Sequence, residues 1–318
     1  MTRHKTAHLD PIPICDSGYA SSKYAHALSH MGQPVQLPSC GGWLLQRRIN
    51  NTDYLDGRGG YPIFCCSDWQ GLPADLASLE ESTIAVSLVT DPFGSFEEDL
   101  IRECFPDQAY PFKTHYLVDL SSPISSIVAK HHQRNAAKAA RVLKIYEEPD
   151  HAIYLDTWRK LYANLIQLHK IKGVAEFPDP SFSRQFDVGG LRVFVAKDGD
   201  EVVGMALWII HNDCGYYHLA AYSSRGYDLR ASFGLFMHTF EVFAQEGIER
   251  LSLGGAAGLA NAKANEDGLA RFKSGWSNNT RDVWFCGRVL NRGVYDALCG
   301  QTEMSASEFF PAYRSRQE

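Results

Sequence analysis

The pattern of apolar and polar positions is most informative between residues 190 and 254. Leu191–Lys197 and Glu201–Ile210 read as strands joined by the turn DGDE, and a third strand, Tyr216–Tyr222, follows HNDCG. The loop SSRGYDLR leads into a helix from about Ala231 to Glu246, with Leu235, Phe236, Phe240, Val242 and Phe243 on its apolar side. Gly247 ends that helix, and Arg250–Leu253 is a strand closed by Gly254-Gly255. A meander followed by a crossover helix must return its last strand parallel to the third.

Upstream the pattern is weaker. Val35–Leu37, Trp43–Ile49 and Tyr61–Cys66 read as strands broken by PSCGG and DGRGG, and Ile84–Val89 as a strand stopped by TDPFG. A helix Phe96–Cys104 with Ser95 as N-cap and a strand His115–Leu120 complete a mixed block without a clear meander and crossover helix. A helix is expected from Ser121 or Ser122 to about Ile145, and another over Ala152–Lys172, where Leu155, Trp158, Leu161, Tyr162, Leu165 and Leu168 share one face. A short helix begins at Pro178-Asp179-Pro180 and runs to Phe186. Residues 1–34, rich in turn formers, are expected to wrap rather than build core.

Composition narrows the picture. With 318 residues, 45% hydrophobic and 12% aromatic, the chain suits two folded domains and excludes global disorder. No apolar run approaches the roughly 20 residues of a membrane span, and MTRHKTAHLDPIP lacks the apolar core of a secretory signal, so a cytoplasmic location is expected. The eight cysteines form no C-x-x-C pair, which points to reduced, packed thiols and no metal site. His131-His132 lie about 100° apart on a helix and do not suit one metal. Net charge is −6, yet Lys130, Arg134, Lys138, Arg141 and Lys144 advance by four, four, three and three as one stripe. The remainder is then −11 (−6 less the +5 of the stripe), so a local anion-binding surface is expected on a mildly acidic chain.

The order meander, helix, strand resembles the GNAT superfamily of acyl-CoA-dependent N-acetyltransferases. The resemblance implies a gap beside the third strand that holds the acyl donor. The family's pyrophosphate loop, [RQ]-x-x-G-x-[GA], is not matched by Arg225-Gly226-Tyr227-Asp228-Leu229-Arg230. The run LGGAAGLANAKANEDGLARFKSGWS (253–277) resembles the glycine-rich turn and Phe-Lys-x-Gly-aromatic ending of the Fem aminoacyltransferases, and the strand-end Asp91-Pro92 and the basic helix are similar in kind. Related Fem-like proteins include acyl-CoA users. The implied fold class is α/β, with two GNAT-like halves, each a mixed, mostly antiparallel sheet flanked by helices. The halves are expected at 1–120, completed by 285–318, and at 121–284.

Acyl transfer to an amine needs a neutral nucleophile, donors for the oxyanion and a stabilised leaving group. Three catalytic candidates follow. Lys273, which the resemblance implies belongs to the catalytic centre, offers a cation to a phosphate or an oxyanion. Asp91 ends an apolar strand, where it either orients or deprotonates the amine or caps the turn at Pro92. His218 is either a proton acceptor or a hydrogen-bonded core residue, on a strand whose alternation places Tyr216, His218, Ala220 and Tyr222 on one face. Phe272, Tyr216, Tyr222, Arg225 and Arg230 are expected to bind the donor, and the resemblance places Phe272 beside the acceptor end of tRNA. The expected activity is amide formation from aminoacyl-tRNA onto the amine of a small-molecule, cell-wall or natural-product precursor. No tightly bound cofactor, metal or membrane span is expected. An acyl-CoA donor and an inert GNAT pair that serves as a binding module are the alternatives.

Overall fold

The computed structural model describes residues 17–211, 213–255, 266–300 and 309–315. Its strands are β1 (Gln33–Leu37), β2 (Gly42–Arg48), β3 (Leu55–Gly59), β4 (Thr83–Val89), β5 (Gln108–Asp119), β6 (Lys144–Glu147), β7 (Leu191–Asp198), β8 (Glu201–His211), β9 (Cys214–Tyr222), β10 (Arg250–Gly255) and β11 (Asn279–Val289). The helices are α1 (Ser22–Ala27), α2 (Leu72–Ser78), α3 (Glu98–Cys104), α4 (Ile124–Ile127), α5 (Lys130–Ala140), α6 (Leu155–His169), α7 (Asp179–Phe186), α8 (Ser224–Asp228), α9 (Ala231–Gln245), α10 (Glu266–Ser274) and α11 (Arg292–Gly300).

All the strands join one sheet in the order β1-β2-β3-β4-β11-β5-β10-β9-β8-β7-β6. Within it the same plan occurs twice. β1–β3 form an antiparallel meander, α2 intervenes, and β4 returns parallel to β3; β7–β9, α9 and β10 repeat that sequence of events. At the centre the halves exchange strands: β5, which follows β4, pairs with β10, while β11, which follows β10, pairs with β4. β5 and β11 also pair with each other from Asn279 to Gly287. The first half therefore does contain the meander and crossover helix that its sequence conceals.

The concealment has a physical cause. DGRGG, expected to break a strand, is most of β3, whereas Tyr61–Cys66 makes one bridge, Phe64 to Thr90. A Cβ at Gly59 would lie 2.8 Å from Leu88, so glycine here permits close packing rather than a turn. Asp56, fully buried, is met by Arg47 at 3.0 Å and by Arg314. Arg314 belongs to the FFPAYR segment, where a short 3-10 turn, Ala312–Arg314, plugs this carboxylate.

One face of the sheet packs α1, α6 and α7 around Tyr19, Tyr24, Trp158, Phe182 and Tyr216. Residues 17–32 are thus core builders, contrary to the expected wrapping. The other face packs α5, α9 and α10 around Trp208, Phe236, Phe240 and Trp276. The helix expected over 121–145 is three elements. Extended backbone at Val128 and Ala129 interrupts it, where the Ala129 N–H donates to the Gly275 carbonyl at 2.9 Å, and Lys144 pairs into the sheet as β6.

Candidate active site

β9 and β10 are bonded only at Cys214–Arg250, Gly215–Leu251 and Tyr216–Ser252. Beyond that point β9 continues to Tyr222 along β8 alone, while β10 is irregular between Ser252 and Gly255 as it follows β5. A wedge therefore opens past Tyr216, and one edge of β9 lines it with no partner strand among the described residues. His218 is the extra residue of a bulge, since Leu207 pairs with Leu219 and Trp208 with Tyr217. The bulge overturns the expected alternation. Tyr216 and His218 face the α1/α6/α7 side, while Tyr217, Ala220 and Tyr222 face the α9 side.

Lys273 lies on α10, whose FKSGW ending is fixed by packing. Trp276 is fully buried, Phe272 sits against Phe233 and Phe236, and its carbonyl accepts from His132 Nε2 at 3.1 Å. A Cβ at Gly275 would lie 2.2 Å from that His132 ring, so only glycine fits there. His132 is thereby a packing residue of this motif. Held in this way, Lys273 is 7% exposed and its Nζ donates to the Gly255 carbonyl at 2.6 Å, at the end of β10. Burial, and secondarily the Lys113 ammonium, brings its pKa down to about 7.

Beside it lies a pair that sequence reasoning missed. His115 Nδ1 and Ser252 Oγ share a hydrogen bond at 3.3 Å, and the same hydroxyl accepts the Gly254 N–H at 3.3 Å. Burial, then Lys273 and Lys113, push His115 down to about 3, so its ring is neutral. No local signal marks the pair, because the contact joins β5 to β10 across 137 residues.

Asp91 follows β4 and is buried. Its carboxylate accepts the Phe93 amide at 2.9 Å, which is a turn cap, and the Tyr216 hydroxyl at 3.0 Å to each oxygen. Asp91 therefore caps this turn. Burial raises its pKa, against the Phe93 and Tyr216 hydrogen bonds. Because Tyr216 pairs with Ser252, the Asp91–Tyr216 and Ser252–His115 pairs stand on neighbouring strands.

His218 stands apart from this row. Its Nε2–H donates to Gln185 Oε1 at 2.9 Å and its Nδ1 accepts from the Tyr19 hydroxyl at 3.0 Å. Burial lowers its pKa to about 3. Both nitrogens are occupied and the ring is locked neutral, so the proton-acceptor role is withdrawn in favour of a core role.

The remaining candidates divide. Tyr222 lines the wedge, whereas Tyr216 lies on the opposite face of the sheet, so the two do not share a donor wall. Arg225 is exposed and paired with Asp198 at 2.8 Å; Arg230 is exposed, in a left-handed conformation ahead of α9. The loop around them folds into α8, where the amides of Gly226, Tyr227, Leu229 and Arg230 bond within the loop itself. Lys130, Arg134 and Lys138 lie exposed on α5, but Arg141 is its C-cap and Lys144 belongs to β6. The single five-cation helical stripe is therefore corrected to three helical cations with two flanking ones. None of the five forms an ion pair among the described residues. Nor do the described residues hold a group of three His, Cys, Asp or Glu suited to a metal, or a helix long and apolar enough to cross a membrane. Residues 256–265, the greater part of the glycine-rich turn, lie outside the described residues.

Residues 130–274 match the family model of an acetyltransferase (GNAT) domain. No curated protein matches the sequence. Among solved structures the chain is similar to FemX, with 12% identity, 89% of this chain and 95% of that one covered, and a TM-score of 0.66. It is also similar to L-PGS from Bacillus licheniformis, with 13% identity, 87% and 94% coverage and a TM-score of 0.55. A third is the C-terminal domain of a protein named as a lysylphosphatidylglycerol synthetase from Agrobacterium fabrum, with 13% identity, 87% and 90% coverage and a TM-score of 0.58. The repeated meander-and-crossover plan, the wedge and these likenesses agree: the chain has the Fem-type GNAT fold, with an acetyltransferase (GNAT) domain at residues 130–274.

Proposed function

We propose that the protein is an N-acyltransferase that moves an aminoacyl group from aminoacyl-tRNA to the amine of a small-molecule, cell-wall or natural-product precursor. The observation that carries this reading is the wedge between β9 and β10, with the Lys273 amine held at its β10 side. The unpaired edge of β9 supplies backbone amides for the acyl carbonyl, and the Lys273 ammonium stabilises the oxyanion as the amine attacks. The C–N bond forms as the ester C–O bond to the ribose breaks. One proton passes from the amine to Asp91, reached through Tyr216, and the departing ribose oxygen takes one from Lys273.

Two observations favour a tRNA donor: the α8 loop uses its amides internally, and the exposed cations of α5 form no ion pair among the described residues. The family model over 130–274 favours a second reading, an acyl-CoA donor. Work in the cytoplasm, where both donors occur, is part of the proposal. The test supplies the purified protein with aminoacyl-tRNA or acyl-CoA and a panel of amines, and follows product mass. Product from the first donor alone, abolished by ribonuclease, is expected. Product from acyl-CoA alone selects the second reading, and turnover with neither leaves a binding module.

A further inference from the structure

Ser252 is the last residue of β10 bonded to β9, so its side chain stands where the wedge begins. Its hydroxyl oxygen accepts the Gly254 N–H at 3.3 Å and lies 3.3 Å from His115 Nδ1. Among the described residues Nδ1 is the sole acceptor for the hydroxyl proton, so the hydroxyl donates to it. The chain of bonds therefore runs from the Gly254 amide through Ser252 to His115 and leaves the ring proton on Nε2.

The Nε2 edge of the ring is turned toward the end of β10. The adjoining carbon, Cδ2, is 3.3 Å from where a Cβ would stand at Gly255, the residue whose carbonyl receives the Lys273 amine at 2.6 Å. Nε2 has no partner among the described residues, and it is not one of their enclosed, unpartnered polar atoms. His218 shows the contrast, since both of its nitrogens are engaged in the core. The charged groups around His115 are cations: Lys113 on its own strand, Lys273 from α10, and Arg281, its ladder partner on β11. Burial first, and then the two lysines, hold the ring neutral, with a pKa of about 3. At neutral pH the ring is thus a poor base, with its acceptor nitrogen already used. What it offers is one N–H, and a buried donor is costly to leave without an acceptor.

We propose that His115 is a further catalytic residue, whose neutral Nε2–H joins the Lys273 ammonium in holding the oxyanion formed during acyl transfer, with Ser252 as the positioning residue that sets its tautomer. The proposal rests on the acyl-transfer reading. As the amine attacks, the carbonyl π pair moves onto oxygen, and the two donors meet that charge. When the leaving group departs the pair returns to the carbonyl, and Nε2 keeps its proton throughout. A neutral imidazole suits the task because its donation does not change across the range in which an ordinary histidine titrates.

Two readouts on the full chain test this. Long-range 1H–15N NMR of histidine-labelled protein reports which nitrogen carries the proton. Wild type should show His115 as the neutral Nε2–H tautomer from about pH 5 to 8, and Ser252→Ala a mixture of both tautomers. A neutral Nδ1–H form in wild type, protonation of the ring within that range, or an unchanged tautomer in Ser252→Ala overturns the proposal. In single-turnover transfer, His115→Ala should lower the rate about 100-fold with the donor KM unchanged. His115→Gln, whose amide N–H reaches the Nε2 position, should stay within about tenfold of wild type, whereas His115→Asn should behave like His115→Ala. Equal rates in wild type and His115→Ala, or equal losses in His115→Ala and His115→Gln, overturn the proposal and leave acyl transfer standing. No transfer by wild type from either donor overturns the acyl-transfer reading and the oxyanion role with it.

Discussion

Replacing Lys273 with methionine should stabilise the protein at pH 6 while abolishing its activity. Lys273 is 7% exposed, and its pKa falls from the ordinary 10.5 to about 7, mainly through burial. That difference corresponds to about 5 kcal/mol of extra cost for the charged form in the folded state. Methionine fills a similar volume but forfeits the hydrogen bond to Gly255, worth about 1–2 kcal/mol, so a net gain of about 2–4 kcal/mol is expected below pH 7. Between pH 7 and 10.5 the unfolded chain keeps the lysine proton and the folded chain does not, so wild-type stability rises with pH across that window. The advantage of the variant should therefore shrink to near zero by about pH 9. Urea unfolding at pH 6 and pH 9, with m-values compared, measures both quantities. A variant less stable than wild type at pH 6, or an advantage that persists at pH 9, would refute the view that this amine is held at an energetic cost for function.

Three further outcomes follow from the same geometry. Lys273→Ala should lower the transfer rate by about 100-fold, and wild-type kcat/KM for the donor should decline above about pH 7 as the ammonium deprotonates; a flat profile from pH 6 to 9 would rule out the cationic role. His218→Gln should lower stability by about 1–3 kcal/mol in thermal melts, through loss of the Tyr19 and Gln185 hydrogen bonds, with kcat of the folded protein within about twofold of wild type. A hundredfold loss of kcat would reinstate it as a proton acceptor. Asp56→Ala strands Arg47 and Arg314 in the core and should cost about 3–5 kcal/mol in urea unfolding; a change below about 1 kcal/mol would mean that the arginines relax to solvent.

The second half of the fold was largely legible because its signals are local. Apolar runs mark β7, β8 and β9, turn residues separate them, and the apolar spacing of α9 is carried within 15 residues. The first half resisted because long-range partners decide its structure. β3 is a strand because Gly57 and Gly59 pack against β4 and because Asp56 finds Arg314 across 258 residues, and neither contact shows in LDGRG itself. The 121–145 segment has unbroken helical composition, yet Ala129 docks on Gly275 and Lys144 joins β7, so tertiary pairing overrides propensity. At the site, the FKSGW motif pointed to Lys273, but the bulge at His218 reverses the faces of Ala220 and Tyr222 and cannot be seen as a pattern. Lys113 and His115 were hidden in the same way: the strand exchange, not sequence proximity, brings β5 beside β10.

Acyl transfer at the β9/β10 wedge is most directly tested by single-turnover assay of wild type and Lys273→Ala with aminoacyl-tRNA and with acyl-CoA, product amide being followed by mass. The geometry predicts amide from aminoacyl-tRNA with wild type, lost on ribonuclease treatment and reduced about 100-fold in Lys273→Ala. Amide formed at the same rate by both proteins, or by neither with any donor, would contradict it.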